Sequence, residues 1–433
     1  MQAVIMAGGK GTRLSMVTNN LIPKPMVKID GKPIIEHQID VLKKNGIFEI
    51  YIVAGYLHDS IENYFGDGSK WNVSINYIIE DEPLGTAGAL FYLKEILKED
   101  FLLVFGDIIF DISIERMFCF HKEKQALITL YVHPNSHPFD SDLVVLNECA
   151  KVCDFNSKKN IRKIFYHNVV NAGIYCINQS FLSEIRMAQK LDLEKDLILS
   201  HIEKGDEVYG YNATEYIKDV GTPERLQCVE EDLKRGIIRD KNLNVPQKCI
   251  FLDRDGTLNK NVGLLFKADQ LELENHVIEA INLAHKYGYL LIVITNQPVI
   301  ARNLCSLEEL DYIHKKLETL LGDMGEYIDC IKFCPHHPDK GYPGERKDFK
   351  INCSCRKPGI ALIQQAVKEF HIDLSQSCII GDTTVDIKTG KNAGIRTILL
   401  KTGEAGKDGR YEVKPDYIAC NLLDAVEWFI GGK

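Results

Sequence analysis

The chain has 433 residues, and at roughly 100–200 residues per domain this predicts two or three domains instead of one core. Apolar residues at 45% and charged residues at 26% are ordinary for a globular protein and exclude disordered, collagen-like and coiled-coil classes. With 61 acidic against 52 basic residues the net charge is −9, so no general basic surface is available for a phosphate backbone and nucleic acid is not an expected partner.

From the N-terminus, short apolar strands alternate with amphipathic helices: a strand over 3–6, a helix over 34–45, a strand over 50–54, a helix over 57–65, a strand over 73–79, a helix over 87–97 and a strand over 101–105. This rhythm predicts a doubly wound, largely parallel α/β sheet. A polar stretch over 236–248, with Pro246, interrupts it and sets the expected domains at 1–240 and 247–433. The alternation then resumes through 249–252, 277–287, 290–295, 307–321, 328–333, 360–370, 378–380 and 397–400, predicting a second doubly wound α/β domain. No apolar run reaches the roughly 20 residues of a membrane span, the first residues lack a signal peptide's basic and apolar stretches, and most of the thirteen cysteines sit alone. A reduced, cytoplasmic compartment with no membrane partner is expected.

The turn Gly8-Gly9-Lys10-Gly11-Thr12-Arg13 follows the first strand, where glycines let backbone N–H groups approach phosphate oxygens. It lacks the Gly-Lys-Ser/Thr of a Walker A loop and the third glycine of a dinucleotide fingerprint. Arg13 and Lys24 supply charge for a polyphosphate, and Asp107 stands at the end of a strand, where open α/β sheets bind ligands. Asp219, in Lys218-Asp219-Val220-Gly221-Thr222-Pro223, would complete a divalent-metal clamp.

Together with Pro83-Leu84-Gly85-Thr86-Ala87-Gly88-Ala89, Asn171-Ala172-Gly173 and Glu194-Lys195-Asp196, these motifs resemble those of the sugar-1-phosphate nucleotidyltransferases over nearly the whole first domain. The resemblance implies attack of a sugar 1-phosphate oxygen on the α-phosphorus of a nucleoside triphosphate, with pyrophosphate leaving. It places Gly8, Gly9, Gly11, Thr12, Arg13, Gly85 and Thr86 at the nucleotide, has Arg13 and Lys24 stabilise the phosphates, and puts Mg²⁺ on Asp107 and Asp219. Asn171, Gly173, Glu194 and Lys195 fall at the sugar phosphate, although Glu194-Lys195-Asp196 also reads as a solvated charge run. The 83–89 loop resembles that of guanylyltransferases for mannose 1-phosphate and heptose 1-phosphate, which implies GTP. His133, His137 and His167 have no partner legible in the sequence.

In the second domain, the first strand runs into Asp253-Arg254-Asp255-Gly256-Thr257, and strand alternation points both carboxylates to one side. Thr295-Asn296 ends a Leu-Ile-Val-Ile strand, Lys357 follows Cys355-Arg356, and Gly381-Asp382 precedes Asp386. In this order the four elements resemble the haloacid dehalogenase phosphatases over 249–403. The resemblance implies Asp253 as a nucleophile that forms an aspartyl-phosphate, Asp255 as acid and then base, and Thr295 and Lys357 on the phosphoryl oxygens. Mg²⁺ is expected on Asp253, Asp255 (through its carbonyl) and Asp382, while Asp386 is a further metal-shell, lysine-orienting or helix-start residue. Asn296, Arg302 and Arg356 are expected on the substrate, the arginines at its far end.

Cys334, Cys353, Cys355 and a histidine of His336-His337 offer a Cys₃His set for a structural Zn²⁺. The family's Cys-x-His spacing prefers His336. Zinc loops of this form mark the phosphatase branch for heptose bisphosphate and histidinol phosphate, although Pro298-Val299 replaces the Ser-Gly commoner in the heptose enzymes. The fusion fits a route that removes one phosphate and then adds a nucleotide, so heptose phosphates and GTP are the implied substrates. Homo-oligomerisation is left open.

Overall fold

A computed structural model describes residues 1–9, 18, 21–55, 57–159 and 162–432. The chain divides into two compact units. The first holds Met1–His133, Asp142–Ser157 and Val169–Asn242; the second holds Pro134–Ser141, Lys158–Asn168 and Leu243–Lys433.

The strands of the first unit are β1 (Gln2–Met6), the hairpin β2 (Lys28–Ile29) and β3 (Lys32–Pro33), β4 (Glu49–Ala54), β5 (Ser74–Ile79), β6 (Phe101–Phe105), β7 (Ile108–Asp111), β8 (Ile128–His133), β9 (Leu143–Leu146), β10 (Val152–Asn156), β11 (Val170–Ile177), β12 (Val208–Asn212) and β13 (Tyr216–Asp219). Nine of them form one sheet with the spine β10-β9-β11-β6-β1-β4-β5, and β8 joins β11 to β12. Strands β1, β4, β5 and β6 are parallel, as their helix-separated spacing predicts. The sheet becomes mixed at β11, which runs antiparallel to both β6 and β8. Apolar residues on the parallel strands are buried on both faces, and Val4, Val53 and Leu103 pack with Leu90, Leu93 and Leu97. The helix expected over 87–97 is instead a 3₁₀ turn at Gly88–Leu93. Its start is tied to a neighbouring loop, because Ala87 donates its N–H to the carbonyl of Leu191.

The second unit is built on β14 (Cys249–Leu252), β15 (Leu290–Asn296), β16 (Cys330–Cys334), β17 (Cys378–Gly381), β18 (Arg396–Leu400) and β19 (Tyr417–Ala419). They form one parallel sheet in the order β16-β15-β14-β17-β18-β19. Successive strands run outward in one direction from β14 to β16 and in the other from β17 to β19, so the ends of β14 and β17 form a topological switch point, where such sheets open a crevice. A C-terminal helix, Leu422–Ile430, buries Leu422, Ala425, Val426 and Phe429 in the core.

Within this unit the segments Pro134–Ser141 and Lys158–Asn168 pack on the helix Leu307–Asp323. Tyr166 donates its N–H to Thr319 Oγ1 at 3.0 Å, and the rings of Phe165 and Tyr312 lie 5.2 Å apart. His167 sits between Asp311 at 2.8 Å and Glu318 at 3.1 Å. Among the described residues no helix is long and apolar enough to cross a membrane, and all thirteen cysteines are free thiols.

Candidate active sites

In the first unit, the turn between β6 and β7 lies against the start of the glycine-rich loop, since Gly106 donates its N–H to the Met6 carbonyl at 2.9 Å. Gly11, Thr12 and Arg13 lie outside the described residues. Lys24, on the 3₁₀ turn Lys24–Met26, is buried with its Nζ 2.5 Å from Asp107 Oδ2. Strand β13 pairs with β7, and Val220 donates its N–H to the Asp107 carbonyl at 2.8 Å, which brings Asp107 and Asp219 to one edge. Asp219 accepts from Arg225 Nη1 at 2.6 and 2.7 Å. Both carboxylates are thus ion-paired, Asp107 with Lys24 and Asp219 with Arg225.

Three groups here went unnoticed in the sequence. Arg225 is one. The Gln38 amide donates to the carbonyls of Phe105 and Ile108, at 2.9 and 2.8 Å, and fixes the turn that presents Asp107. Glu80, at the end of β5, accepts the Leu84 N–H at 3.0 Å, and a Cβ on Gly8 would strike its other carboxylate oxygen. Burial raises its pKa. The only signal for it was an acidic residue just before the Pro83–Ala89 motif.

On the sugar side, the pairing of β11 with β8 shifts register between Asn171 and Tyr175 around Gly173, a local irregularity that re-aims a side chain. Asn171 Nδ2 reaches Glu194 Oε1 at 2.6 Å, and Tyr175 donates its hydroxyl to the same oxygen at 2.8 Å. Burial raises the Glu194 pKa. Glu194 is therefore drawn inward by two hydrogen bonds, whereas Lys195 is exposed and paired with Asp192 at 3.3 Å. Gly85 bridges to Leu191, and Thr86 Oγ1 accepts the Leu193 N–H at 2.7 Å, which fastens the 83–89 loop to the π-helical turn carrying Glu194.

In the second unit, Asp253 ends β14 and is paired with Lys357 Nζ at 2.7 Å; the same ammonium lies 2.5 Å from Asp386. Oxygens of Asp253, Asp382 and Asp386 gather within 4.8 Å of one another. Burial and then Asp386 raise Asp253 to about 6, while burial and then Asp253 raise Asp382 to about 8. Burial opposes the Lys357 ammonium, but Asp253 and Asp386 overrule it and push its pKa above the usual value. Among the described residues the buried Asp382 Oδ1 has no hydrogen-bond partner, and a Cβ on Gly256, at φ +78°, would strike its carboxylate. An orphaned hard oxygen amid like charges fits Mg²⁺. Asp386 also accepts from Thr383 N and Oγ1, so it caps a helix and orients Lys357 at once.

Asp255 stands apart from this cluster. Its carboxylate accepts from Arg254, Asn259 and Gln297 at 2.8–3.0 Å. Burial alone would raise its pKa, but Arg254, with the two amides, holds it below the ordinary value. Thr295 Oγ1 accepts from Gln297 at 2.8 Å. Asn296, expected on the substrate, is committed elsewhere: both ends of its amide bond the Lys357 backbone, at 2.9 and 3.1 Å. Arg302 lies over the Tyr342 ring at 4.2 Å, and Arg356 donates to the His336 carbonyl at 3.0 Å.

The donor atoms of Cys334, His336, Cys353 and Cys355 also lie within 4.8 Å of one another. The three sulfurs are 3.1–3.5 Å apart, and His336 Nδ1 is 3.3 Å from Cys355. Sulfurs at about 2.3 Å from a tetrahedral zinc would be about 3.8 Å apart, so this thiol-rich set is close to the required size. His337 instead faces Arg302, at 3.5 Å.

Residues 2–236, more than half of the chain, match the model of the Nucleotidyl transferase family. The chain belongs to that family. This nucleotidyl transferase also matches a HAD-hydrolase-like model over residues 354–425. The D-glycero-alpha-D-manno-heptose 1-phosphate guanylyltransferase of Aneurinibacillus thermoaerophilus is 32% identical over 240 residues, 55% of this chain and 100% of that protein. The D-glycero-beta-D-manno-heptose-1,7-bisphosphate 7-phosphatase of Pasteurella multocida is 37% identical over 190 residues, 43% of this chain and 99% of that protein. A mannose-1-phosphate guanylyltransferase of Mycobacterium tuberculosis is 30% identical over 239 residues, 55% of this chain and 66% of that protein. The nucleotidyl transferase thus joins two enzymatic domains, a transferase and a HAD-like phosphatase.

Proposed function

We propose that the second domain removes the 7-phosphate of D-glycero-D-manno-heptose 1,7-bisphosphate and that the first then transfers GMP from GTP to heptose 1-phosphate, giving GDP-heptose and pyrophosphate. One observation carries this reading. Consecutive parts of the chain cover, nearly end to end, two relatives whose named substrates share the heptose and differ by one phosphate and in the anomer, α for the guanylyltransferase and β for the phosphatase. One anomer must pass through both sites, so the reading takes the α-anomer named for the guanylyltransferase.

In the phosphatase, Asp253 attacks phosphorus and the alkoxide leaves with a proton from Asp255; water then releases phosphate as Asp255 takes its proton. Lys357 and Thr295 hold the phosphoryl oxygens. Mg²⁺ on Asp253, the Asp255 carbonyl and Asp382 would neutralise charge on the transferring group. In the transferase, Lys24 and Arg13 balance the triphosphate while Asn171 and Glu194 hold the sugar, so that catalysis is by positioning and electrostatics. Asp107 and Asp219 would hold the second Mg²⁺. Glu80 favours guanine, whose N1–H and N2–H₂ present two donors to one carboxylate.

A second reading, transfer to mannose 1-phosphate, is favoured by the mycobacterial relative. Competition between mannose 1-phosphate and heptose 1-phosphate, read as pyrophosphate release, separates the two. A preference of at least about tenfold for heptose 1-phosphate is expected, in line with the discrimination one added carbon allows. Equal or reversed preference overturns the heptose reading.

A further inference from the structure

We propose that Arg254, between the two aspartates, is the positioning residue that aims Asp255 at the phosphoryl group. The inference rests on the phosphatase reading above and adds a residue to it. Arg254 is the largest fully buried side chain among the described residues, with 0% exposure. A buried guanidinium is costly unless its charge and donors are matched, and here each of its three nitrogens has a partner. Nη2 donates to Asp255 Oδ2 at 2.8 Å, to Oδ1 at 3.0 Å and to Gln297 Oε1 at 3.1 Å. Nε reaches Asp255 Oδ1 at 3.3 Å, and Nη1 faces His314 Nε2 at 3.2 Å. Arginine only donates, so His314 accepts through an unprotonated Nε2.

The backbone of the same residue serves the other aspartate. Arg254 donates its N–H to Asp253 Oδ1 at 2.8 Å, while its carbonyl accepts from Leu258 and Asn259 at 2.9 and 3.1 Å and closes the turn. One residue therefore sets both carboxylates. The planar guanidinium fixes the plane of the Asp255 carboxylate, which a lysine's single ammonium cannot do. Gln297 donates to Asp255 Oδ2 and to Thr295 Oγ1, so the aim of Asp255 is registered against the phosphate-holding threonine.

p-Nitrophenyl phosphate separates this role from general support of the fold. In the first step the Asp253 oxygen bonds phosphorus, the P–O bond to the aryl group breaks, and p-nitrophenolate departs with the electron pair and needs no proton. In the second, water attacks phosphorus, Asp255 takes its proton, and the bond to Asp253 breaks to release phosphate. Mis-aiming Asp255 therefore slows the second step alone. Stopped-flow release of p-nitrophenolate by the full chain should show, for Arg254→Met, the ratio of burst rate to steady-state rate rising at least about tenfold over wild type, since positioned proton transfer is worth about 10²–10⁴-fold. Arg254→Lys, which keeps the buried charge, should show the same rise and decides the matter if Arg254→Met does not fold. A lysine variant at the wild-type ratio overturns the positioning role and leaves the phosphatase reading intact. A burst that survives Asp253→Asn overturns the reading itself.

Discussion

Asp253 and Asp255 stand one residue apart, yet the fold gives them opposite surroundings. Asp253 shares a crowded acidic cluster that raises its pKa to about 6, whereas Asp255 is held below the ordinary value by Arg254 and two amides. Asp253→Asn should lower phosphate release by about 10³-fold or more, while GMP transfer onto supplied heptose 1-phosphate continues. Loss of both activities in the folded variant would contradict separate sites. At Glu80 the exchange to Gln replaces one acceptor with a donor, so GTP should lose its advantage over other nucleoside triphosphates by at least about tenfold, as expected when a buried pairing is broken. Unchanged base selectivity would remove Glu80 from guanine recognition.

At the scale of elements, the alternation of buried strands and amphipathic helices was legible because parallel strands covered on both faces are continuously apolar. The Asp-x-Asp turn was legible because it sits at a strand end. The antiparallel course of β11 was not, since direction is set by distant pairing, and neither were the roles of Gln38 and Arg225, which depend on residues far along the chain. His167 is the clearest miss, because its two acids lie 144 and 151 positions away. Burial opposes its charge, but Asp311 and Glu318 raise its pKa from 6.5 to about 10. A raised folded pKa gives stability that is fully present below about pH 6.5 and is lost as pH rises through about 10. His167→Gln should cost about 1 kcal/mol at pH 6, a value discounted for solvent screening because the side chain is 37% exposed. The gap between the two proteins in urea unfolding should close above pH 10; a pH-independent gap would contradict the clamp. In the cysteine loop, Cys353→Ser should lower bound zinc and the thermal midpoint together. Undiminished zinc content would refute the ligand set.

At the scale of the whole molecule, one chain delivers phosphatase and transferase in a fixed one-to-one ratio. In the proposed route the 7-phosphate is removed before the anomeric phosphate receives the nucleotide. The order along the chain is the reverse and carries no kinetic meaning. Phosphorus NMR of the purified protein with D-glycero-α-D-manno-heptose 1,7-bisphosphate, GTP and Mg²⁺ tests this account most directly. Inorganic phosphate should appear first, followed by pyrophosphate and a nucleotide-sugar diphosphate signal in equal amounts. Phosphate release with no nucleotide sugar, or no reaction at all, would contradict it.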